Sequence, residues 1–330
     1  MQPPSPLYEL ASSYWKSASL QAALDLGVFE ALAASSSTAQ QLSEQLECDP
    51  GSLMAFLDAL VGLQLLLKND DTYELSAEYA PYLDPNSKDS LLAAFSFNRD
   101  LQGLWDGLAT TVRTGTPVLP ASPHLGNDPE RTKRFVHGMH SRASLMARGL
   151  LEVVVPASGS KVLDLAGGPG TFSLRLLERD PSLAITVFDL PPVVQAAQEL
   201  HEGHPSAPLL TFAGGDYHQD DLPIENDLVL YCGALHQEIL EDVPELFSKI
   251  RSSLKPEGIL IVVDLLLDED RTTPVYSALF DLNMRLMRPT SHVHSVAEVE
   301  ANLVKAGFSL ERTLDVPNTP YRMMEAKLSS

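Results

Sequence analysis

Cysteine is nearly absent: the 330 residues hold two, Cys48 and Cys232, far apart in sequence. That excludes a disulfide framework and a cysteine zinc centre, and it fits a reducing compartment. Basic residues are also scarce, 23 Lys and Arg against 44 Asp and Glu, for a net charge of −21. A surface of that sign repels polyphosphate, so nucleic acid and anionic membranes are poor partners. A cationic small ligand is not excluded. Long apolar runs are missing as well. The longest, Gly258 to Leu267, is interrupted by Asp264 and is about half the ~20 residues a bilayer requires. It reads as a buried strand. The start, MQPPSPLYEL, has neither the basic residues nor the apolar stretch of a signal peptide. The expectation is a cytoplasmic protein. There is no internal repeat and no extended low-complexity tract.

What is present suits a globular chain of more than one domain, with 44% apolar and 20% charged residues. Residues 7 to about 83 read as helical, closed by a short strand pair. Leu10, Tyr14, Ala18, Leu20, Ala23 and Leu24 recur at helical spacing, and Gly27 ends that helix. Thr38 with Gln41 makes a capping box. Asp49 followed by Pro50 opens a third helix, whose apolar face is Leu53, Leu57, Leu60, Val61 and Leu65. Leu66 to Leu75 reads as a hairpin with a polar turn. Three helices and a hairpin is the winged-helix order, which invites a DNA-binding reading. Residues 1–100 carry four Lys and Arg against fourteen Asp and Glu, a net of −10, which argues against phosphate contacts. A dimerisation or substrate-capping module remains.

Helical segments follow around Leu91–Val112 and Pro129–Val155, separated by a Pro- and Gly-rich loop from Thr114 to Asp128. From Lys161 strands alternate with helices, which implies a parallel sheet covered on both faces. The expected division is 1–90, a winged-helix domain; 91–157, a helical bridge; and 158–330, an α/β catalytic domain.

The segment Lys161–Gly170 is a short apolar strand, with Asp164 inside it, that runs into the turn Gly167-Gly168-Pro169-Gly170 and then a helix. The turn departs from the dinucleotide G-x-G-x-x-G and lacks the lysine of a phosphate-binding loop. Its glycines let backbone approach a ligand, and the helix N-terminus favours a carboxylate. A second strand ends in Asp189, nineteen residues beyond Gly170, where Rossmann-type folds hold ribose hydroxyls. A third leads into Gly214-Gly215-Asp216-Tyr217, an acid and an aromatic suited to an adenine. A fourth, from Asp227, reaches Cys232. These features fall at successive strand ends, on the sheet edge where open α/β folds bind ligands.

At this point the chain resembles the class I O-methyltransferases that include the plant caffeate enzymes and hydroxyindole O-methyltransferase. Leu26–Leu32, Tyr73–Ser76, Phe135 with Gly138-Met139, the glycine turn, Phe188-Asp189-Leu190-Pro191, Gly215-Asp216, Leu235-His236, Leu254-Lys255-Pro256 with Gly258, and Lys305–Phe308 all fall in the family's order. The resemblance implies S-adenosylmethionine (SAM) as cofactor, a winged-helix dimerisation domain, a swapped homodimer and a Rossmann-like sheet whose last strand, near Thr319–Lys327, is antiparallel. It implies cofactor contacts from Asp164, Gly167, Gly168, Gly170, Asp189, Leu190, Gly215, Asp216, Tyr217 and Cys232. Phe95, Trp105, Met139, His140, Phe280, Asn283 and Met284 lie in segments that line the acceptor site in relatives. Arg142 and Arg288 could meet an acidic substrate.

The resemblance also makes His236 the general base, a residue type suited to taking a hydroxyl proton near neutral pH. The family's following Asp-Trp is replaced by Gln237-Glu238. Asp264 takes the place of an orienting carboxylate. The family's second one, a glutamate, is missing from Arg288–Ser295, which instead offers His292 and His294. The expected catalytic set is His236, Asp264 and His292. A second reading gathers His236, Asp264 and His292 or His294 around a divalent metal, which would suit C-methylation of a 2-oxo acid or S-methylation of a thio acid. A third, non-enzymatic reading is a SAM-sensing winged-helix regulator.

Overall fold

The structure is a computed structural model that describes residues 6–118, 128–288 and 291–329. Most of the Thr114–Asp128 loop and part of the Arg288–Ser295 segment lie outside the described residues. The chain divides into two compact units, Met1–Asp100 and Leu101–Ser330.

In the first unit, helices α1 (Pro6–Ser12), α2 (Tyr14–Leu26), α3 (Val28–Ala34), α4 (Ala39–Gln45) and α5 (Pro50–Gly62) precede a hairpin. That hairpin pairs β2 (Leu66–Asn69) with β3 (Thr72–Leu75), and the short β1 (Ser37–Thr38) adds to β3 antiparallel. A short α6 (Ala80–Leu83) follows, and α7 (Leu92–Gln102) spans the division between units. The caps form as the residues dictate. Thr38 and Gln41 make a reciprocal capping box, and Asp49 accepts the Ser52 N–H with Pro50 at the first helical position. Gly27 adopts φ 71°, the left-handed cap that a Cβ disfavours.

The first helix differs from its expected course. It breaks at Ser13, and α1 buries nothing. Leu7, Tyr8, Leu10, Tyr14 and Trp15 are all more than half exposed. The apolar period fits a helix, but the residues along α1 and the start of α2 have no covering partner within this unit. The helix expected over Leu91–Val112 is also broken, into α7, a 3-10 turn (Gly103–Gly107) and α8 (Leu108–Thr114). Gly103 and Gly107 are poor helix formers at the break.

In the second unit α9 (Pro129–Val153) leads into a seven-stranded sheet of order β6-β5-β4-β7-β8-β10-β9. Its strands are β4 (Lys161–Leu165), β5 (Ala184–Asp189), β6 (Leu210–Gly214), β7 (Asn226–Cys232), β8 (Leu254–Asp264), β9 (Phe308–Asp315) and β10 (Arg322–Leu328). The first five in that order run parallel, and β10 is antiparallel to β8 and β9. Helices α10 (Thr171–Arg179), α11 (Pro191–Leu200), α12 (Val243–Ser253), α13 (Val275–Met287) and α14 (Val296–Lys305) connect them. Buried residues of alternate strand positions form two apolar clusters. One holds Leu163, Val229, Tyr231 and Val262, the other Val162, Val187, Leu230 and Ile261. Strands covered on both faces read as near-continuous apolar runs, as these do. From β4 the chain winds one way to β5 and β6, then the other way to β7 and β8. The carboxyl ends beside that reversal are where open α/β sheets bind their ligands. Among the described residues no helix is long and apolar enough to cross a membrane.

Candidate active site

The turn after β4 is built for a close approach. Ala166, Gly168 and Gly170 all have positive φ (55°, 54° and 68°). A Cβ on Gly167 would press within 3 Å of the Asp164 carboxyl and Val187. Any side chain there would have to displace buried neighbours, so the backbone stays bare. Helix α10 then begins without a side-chain cap, leaving its first N–H groups for a ligand. Beneath the turn, Asp164 is buried. Ser173 donates to its Oδ2 at 2.6 Å, while Oδ1 has no partner. Burial pushes this carboxyl up to about 7. An orphaned buried oxygen of this kind calls for a donor or cation.

At the end of β5, Asp189 accepts the Gly168 N–H through Oδ2 (2.8 Å) and the Leu190 N–H through Oδ1 (2.7 Å). Those bonds fix the carboxyl against the glycine turn, and burial raises it to about 6 despite them. Leu190 leads into α11 through Pro191. After β6, Gly215 has no room for a Cβ against Phe188. Asp216 turns its carboxylate on its own loop, accepting from the His218 N–H (2.9 Å) and the Gln219 amide (2.8 Å). Tyr217 donates its hydroxyl to Glu238 at 2.6 Å. Cys232 closes β7, its thiol pushed well up by burial.

Beyond β7 a 3-10 turn, Leu235–Gln237, carries His236. Asp264, buried at the end of β8, holds it twice: His236 Nδ1 lies 2.9 Å from Asp264 Oδ1, and the His236 backbone N–H donates to Oδ2 at 3.2 Å. Leu265 N–H also donates to Oδ1 at 2.7 Å. A carboxylate can only accept, so Nδ1 carries the proton and Nε2 keeps its lone pair. The Phe280 ring stands edge-on to the imidazole, with centroids 5.0 Å apart.

The expected acceptor-pocket residues are spread along three elements of the second unit and one of the first. Trp105 Nε1 donates to Asn283 Oδ1 at 3.3 Å, which joins the 3-10 turn to α13. Met284 is buried on α13, the helix that also carries Phe280. Met139 and His140 are half-buried on α9, and His140 Nδ1 lies 2.9 Å from the Thr171 hydroxyl at the start of α10. His140 therefore sits at the glycine turn, and burial lowers its pKa to about 4. Phe95 belongs to the first unit, where it packs against the core of α2, α3 and α5.

His292 and His294 are not brought into the His236–Asp264 pair. Their rings lie 4.4 Å apart, and among the described residues their ligand atoms converge with Glu298 instead. The metal set of His236, Asp264 and one of these histidines is not assembled. Asp264 spends one oxygen on His236 Nδ1 and Leu265 N–H and the other on the His236 N–H, so three of its four acceptor positions are taken.

Sequence reasoning noted Glu238 only as a departure from the family pair. It is 4% exposed, accepts from Tyr217 and from Tyr231 (3.4 Å), and faces His218 Nε2 at 3.4 Å. Its place two residues from a candidate base was the available signal. His201 is a second omission: its Nε2 lies 2.7 Å from the Pro169 carbonyl, so it braces the glycine turn from behind.

Comparison with known proteins bears on both units. The profile of the O-methyltransferase domain matches residues 114–309, and that of the O-methyltransferase dimerisation domain matches 8–80. An 8-O-methyl transferase of tetracenomycin polyketide synthesis from Streptomyces glaucescens is 30% identical over 95% of this chain and 94% of its own. An N,N-dimethyltransferase of Streptomyces rimosus is 29% identical over 94% of this chain and 92% of its own. The crystal structure of human N-acetylserotonin methyltransferase in complex with SAM superposes with a TM-score of 0.89. It is 26% identical and covers 100% of this chain and 99% of its own. Because the catalytic profile alone spans more than half of the sequence and the second accounts for the helical unit before it, this chain belongs to the O-methyltransferase family.

Proposed function

We propose that the protein transfers the methyl group of SAM to a hydroxyl of a small molecule, with His236 as the general base. The observation that carries this reading is the 2.9 Å contact between His236 Nδ1 and the Asp264 carboxylate, which places the proton on Nδ1 and leaves the lone pair on Nε2. A hydroxyl acceptor has a proton to lose as its oxygen forms the new bond, and Nε2 takes it; the resulting imidazolium is stabilised by the Asp264 carboxylate. Asp264 also holds the ring through the His236 backbone, so its orientation does not depend on the acceptor.

The cradle suits SAM on three counts. Gly167, Gly168 and Gly170 leave room for it, the uncapped α10 N-terminus suits its carboxylate, and the orphaned Asp164 Oδ1 suits its ammonium. Asp189 would accept from the ribose hydroxyls, and Asp216 and Tyr217 would border the adenine. Bound there, SAM supplies a methyl on a cationic sulfur to a nucleophile in line with it. The residues around His236 then contribute orientation: Phe280 against the base, and Met284, Asn283 and Trp105 along the same helix and its neighbour. Orientation of this kind can account for several kcal/mol of rate enhancement. Relatives are named for methylation of 3-hydroxy-5-methyl-1-naphthoate and of N-acetylserotonin, which favours an aromatic hydroxyl as the acceptor. Metal-assisted C- or S-methylation loses its motive, because among the described residues the ligand atoms of His292 and His294 converge with Glu298 and not with His236 and Asp264. A SAM-sensing regulator would need no carboxylate-braced histidine.

The exposed row on α1 and α2 supports a homodimer through the first unit, consistent with the dimerisation profile over 8–80. Replacing Leu10 and Trp15 together by glutamate should convert a two-chain particle to one chain in light scattering; an unchanged mass would exclude this face. Two unpaired cysteines and the acidic surface suit a cytoplasmic enzyme without nucleic-acid or membrane partners.

Asp264→Asn tests the proposed role of the dyad. The amide can donate to Nδ1, which would place the proton on Nε2 and leave no base. kcat for transfer of labelled methyl to a phenol panel should fall by about 10²–10⁴, with SAM affinity unchanged. A full rate in this variant would show that the tautomer is immaterial.

A further inference from the structure

The segment between α13 and α14 holds a cluster that the methyl-transfer chemistry does not use. One ligand atom each from His292, His294 and Glu298 lies within 4.8 Å of the others. His294 is almost fully buried at 1% exposure. Its Nε2 lies 3.1 Å from the Leu235 carbonyl, and its Nδ1 has no partner. A carbonyl only accepts, so Nε2 carries the proton and Nδ1 presents a bare lone pair inside the protein. That is the arrangement of a metal-ligating histidine, whose second nitrogen donates to a backbone carbonyl that fixes ring and tautomer. Without a ligand, a buried acceptor of this kind is a net cost.

The other two members are equally prepared. Glu298 Oε2 accepts the Ser295 N–H (2.7 Å) in the α14 capping box and Arg271 Nη1 (2.9 Å). Both bonds fall on one oxygen, which leaves Oε1 for a cation. Arg271 also donates through Nη2 to the Val293 carbonyl at 2.9 Å, bracing the residue between the two histidines. His292 is half-buried, with its ring against that of His294.

We propose that His292, His294 and Glu298 form a binding site for a borderline divalent cation, with zinc the expected occupant and water completing its coordination. Two imidazoles and one carboxylate are the donor set that such ions prefer. Tetrahedral zinc at about 2.0–2.1 Å from each ligand would bring the ligand atoms to about 3.3 Å from one another. Closing from the present spread requires side-chain rotation by His292 and Glu298, the two less buried members. The site lies beside the methyl-transfer centre and outside it. Its link is the Leu235 carbonyl, which belongs to the residue before His236, so the cation steadies the turn that carries the base.

The test is binding to untagged protein, read independently of activity. Cobalt(II) titrated into the apo-protein should saturate at one equivalent per chain with visible d–d absorption, and zinc should displace it. His294→Ala and His292→Ala should each weaken cobalt binding by at least about 10²-fold, while His236→Ala leaves it unchanged. SAM binding, measured in the same samples, reports that each variant is folded. Since His294 is buried, His292→Ala carries the test if the first variant misfolds. No saturable binding to the wild type, binding indifferent to His292→Ala, or binding abolished by His236→Ala would each overturn the proposal.

Discussion

His236→Ala is expected to lower kcat by about 10²–10⁴-fold, the range that a positioned general base contributes, while the Kd for SAM stays at its wild-type value. The separation of the two effects follows from geometry. The hydrogen bonds of His236 run to Asp264 at the end of β8, whereas the glycine turn is held by Asp189. Removing the imidazole deletes the proposed proton acceptor and leaves those cradle bonds in place. A factor of 10² corresponds to about 2.7 kcal/mol of barrier. The check is a single-turnover measurement with labelled SAM, alongside calorimetry of SAM binding. A variant with unchanged rate would remove His236 from the reaction; one with lost SAM affinity would place it in the cofactor site.

Asp189→Ala should produce the opposite pattern, with SAM binding weakened by about 10²–10⁴-fold. Two hydroxyl bonds to an ionised carboxylate are worth about 1.5–3 kcal/mol each, and each 1.4 kcal/mol is about tenfold. Some loss also comes from the turn itself, since Asp189 Oδ2 anchors the Gly168 N–H. A pH dependence accompanies this. Burial raises Asp189 to about 6, and hydroxyls donate to the ionised form, so SAM affinity should hold above that pH and decline below it. Asp164, raised to about 7, acts in the same sense if its free oxygen meets the ammonium, and its step begins at higher pH. Asp189→Ala should abolish the lower step and leave the upper one. An affinity flat from pH 5 to 8 would contradict both assignments.

Much of this molecule is written locally. The caps at Thr38, Asp49 and Gly27 form as their residue types require, because each depends on neighbours three or four positions away. The alternation from Lys161 onward becomes a parallel sheet, since an apolar run between turn residues admits few other fates. The glycine turn, Asp189, Asp216 and His236 were legible as strand-end features for the same reason. What escaped depends on how side chains converge in space. Glu298 is an ordinary capping-box acid in the sequence, and its closeness to His292 and His294, six and four residues earlier, depends on the backbone course from Ser291 into α14. Glu238 reads as a surface acid until Tyr217 and Tyr231 are seen closing over it. The break of the first helix at Ser13 has no strong local signal. Its apolar residues follow the helical period whether the face they form is covered by this unit or by another surface.

In the proposed reaction the turn after β4 and the histidine after β7 work on one methyl group. A crystal structure with the demethylated cofactor, S-adenosylhomocysteine, and a phenol tests this pairing. The expected result is the adenosine along Asp189 and Tyr217 and the phenol oxygen between the sulfur and His236 Nε2. Side chains filling that cleft, or a nucleoside seated elsewhere with His236 facing away from the sulfur, would contradict it.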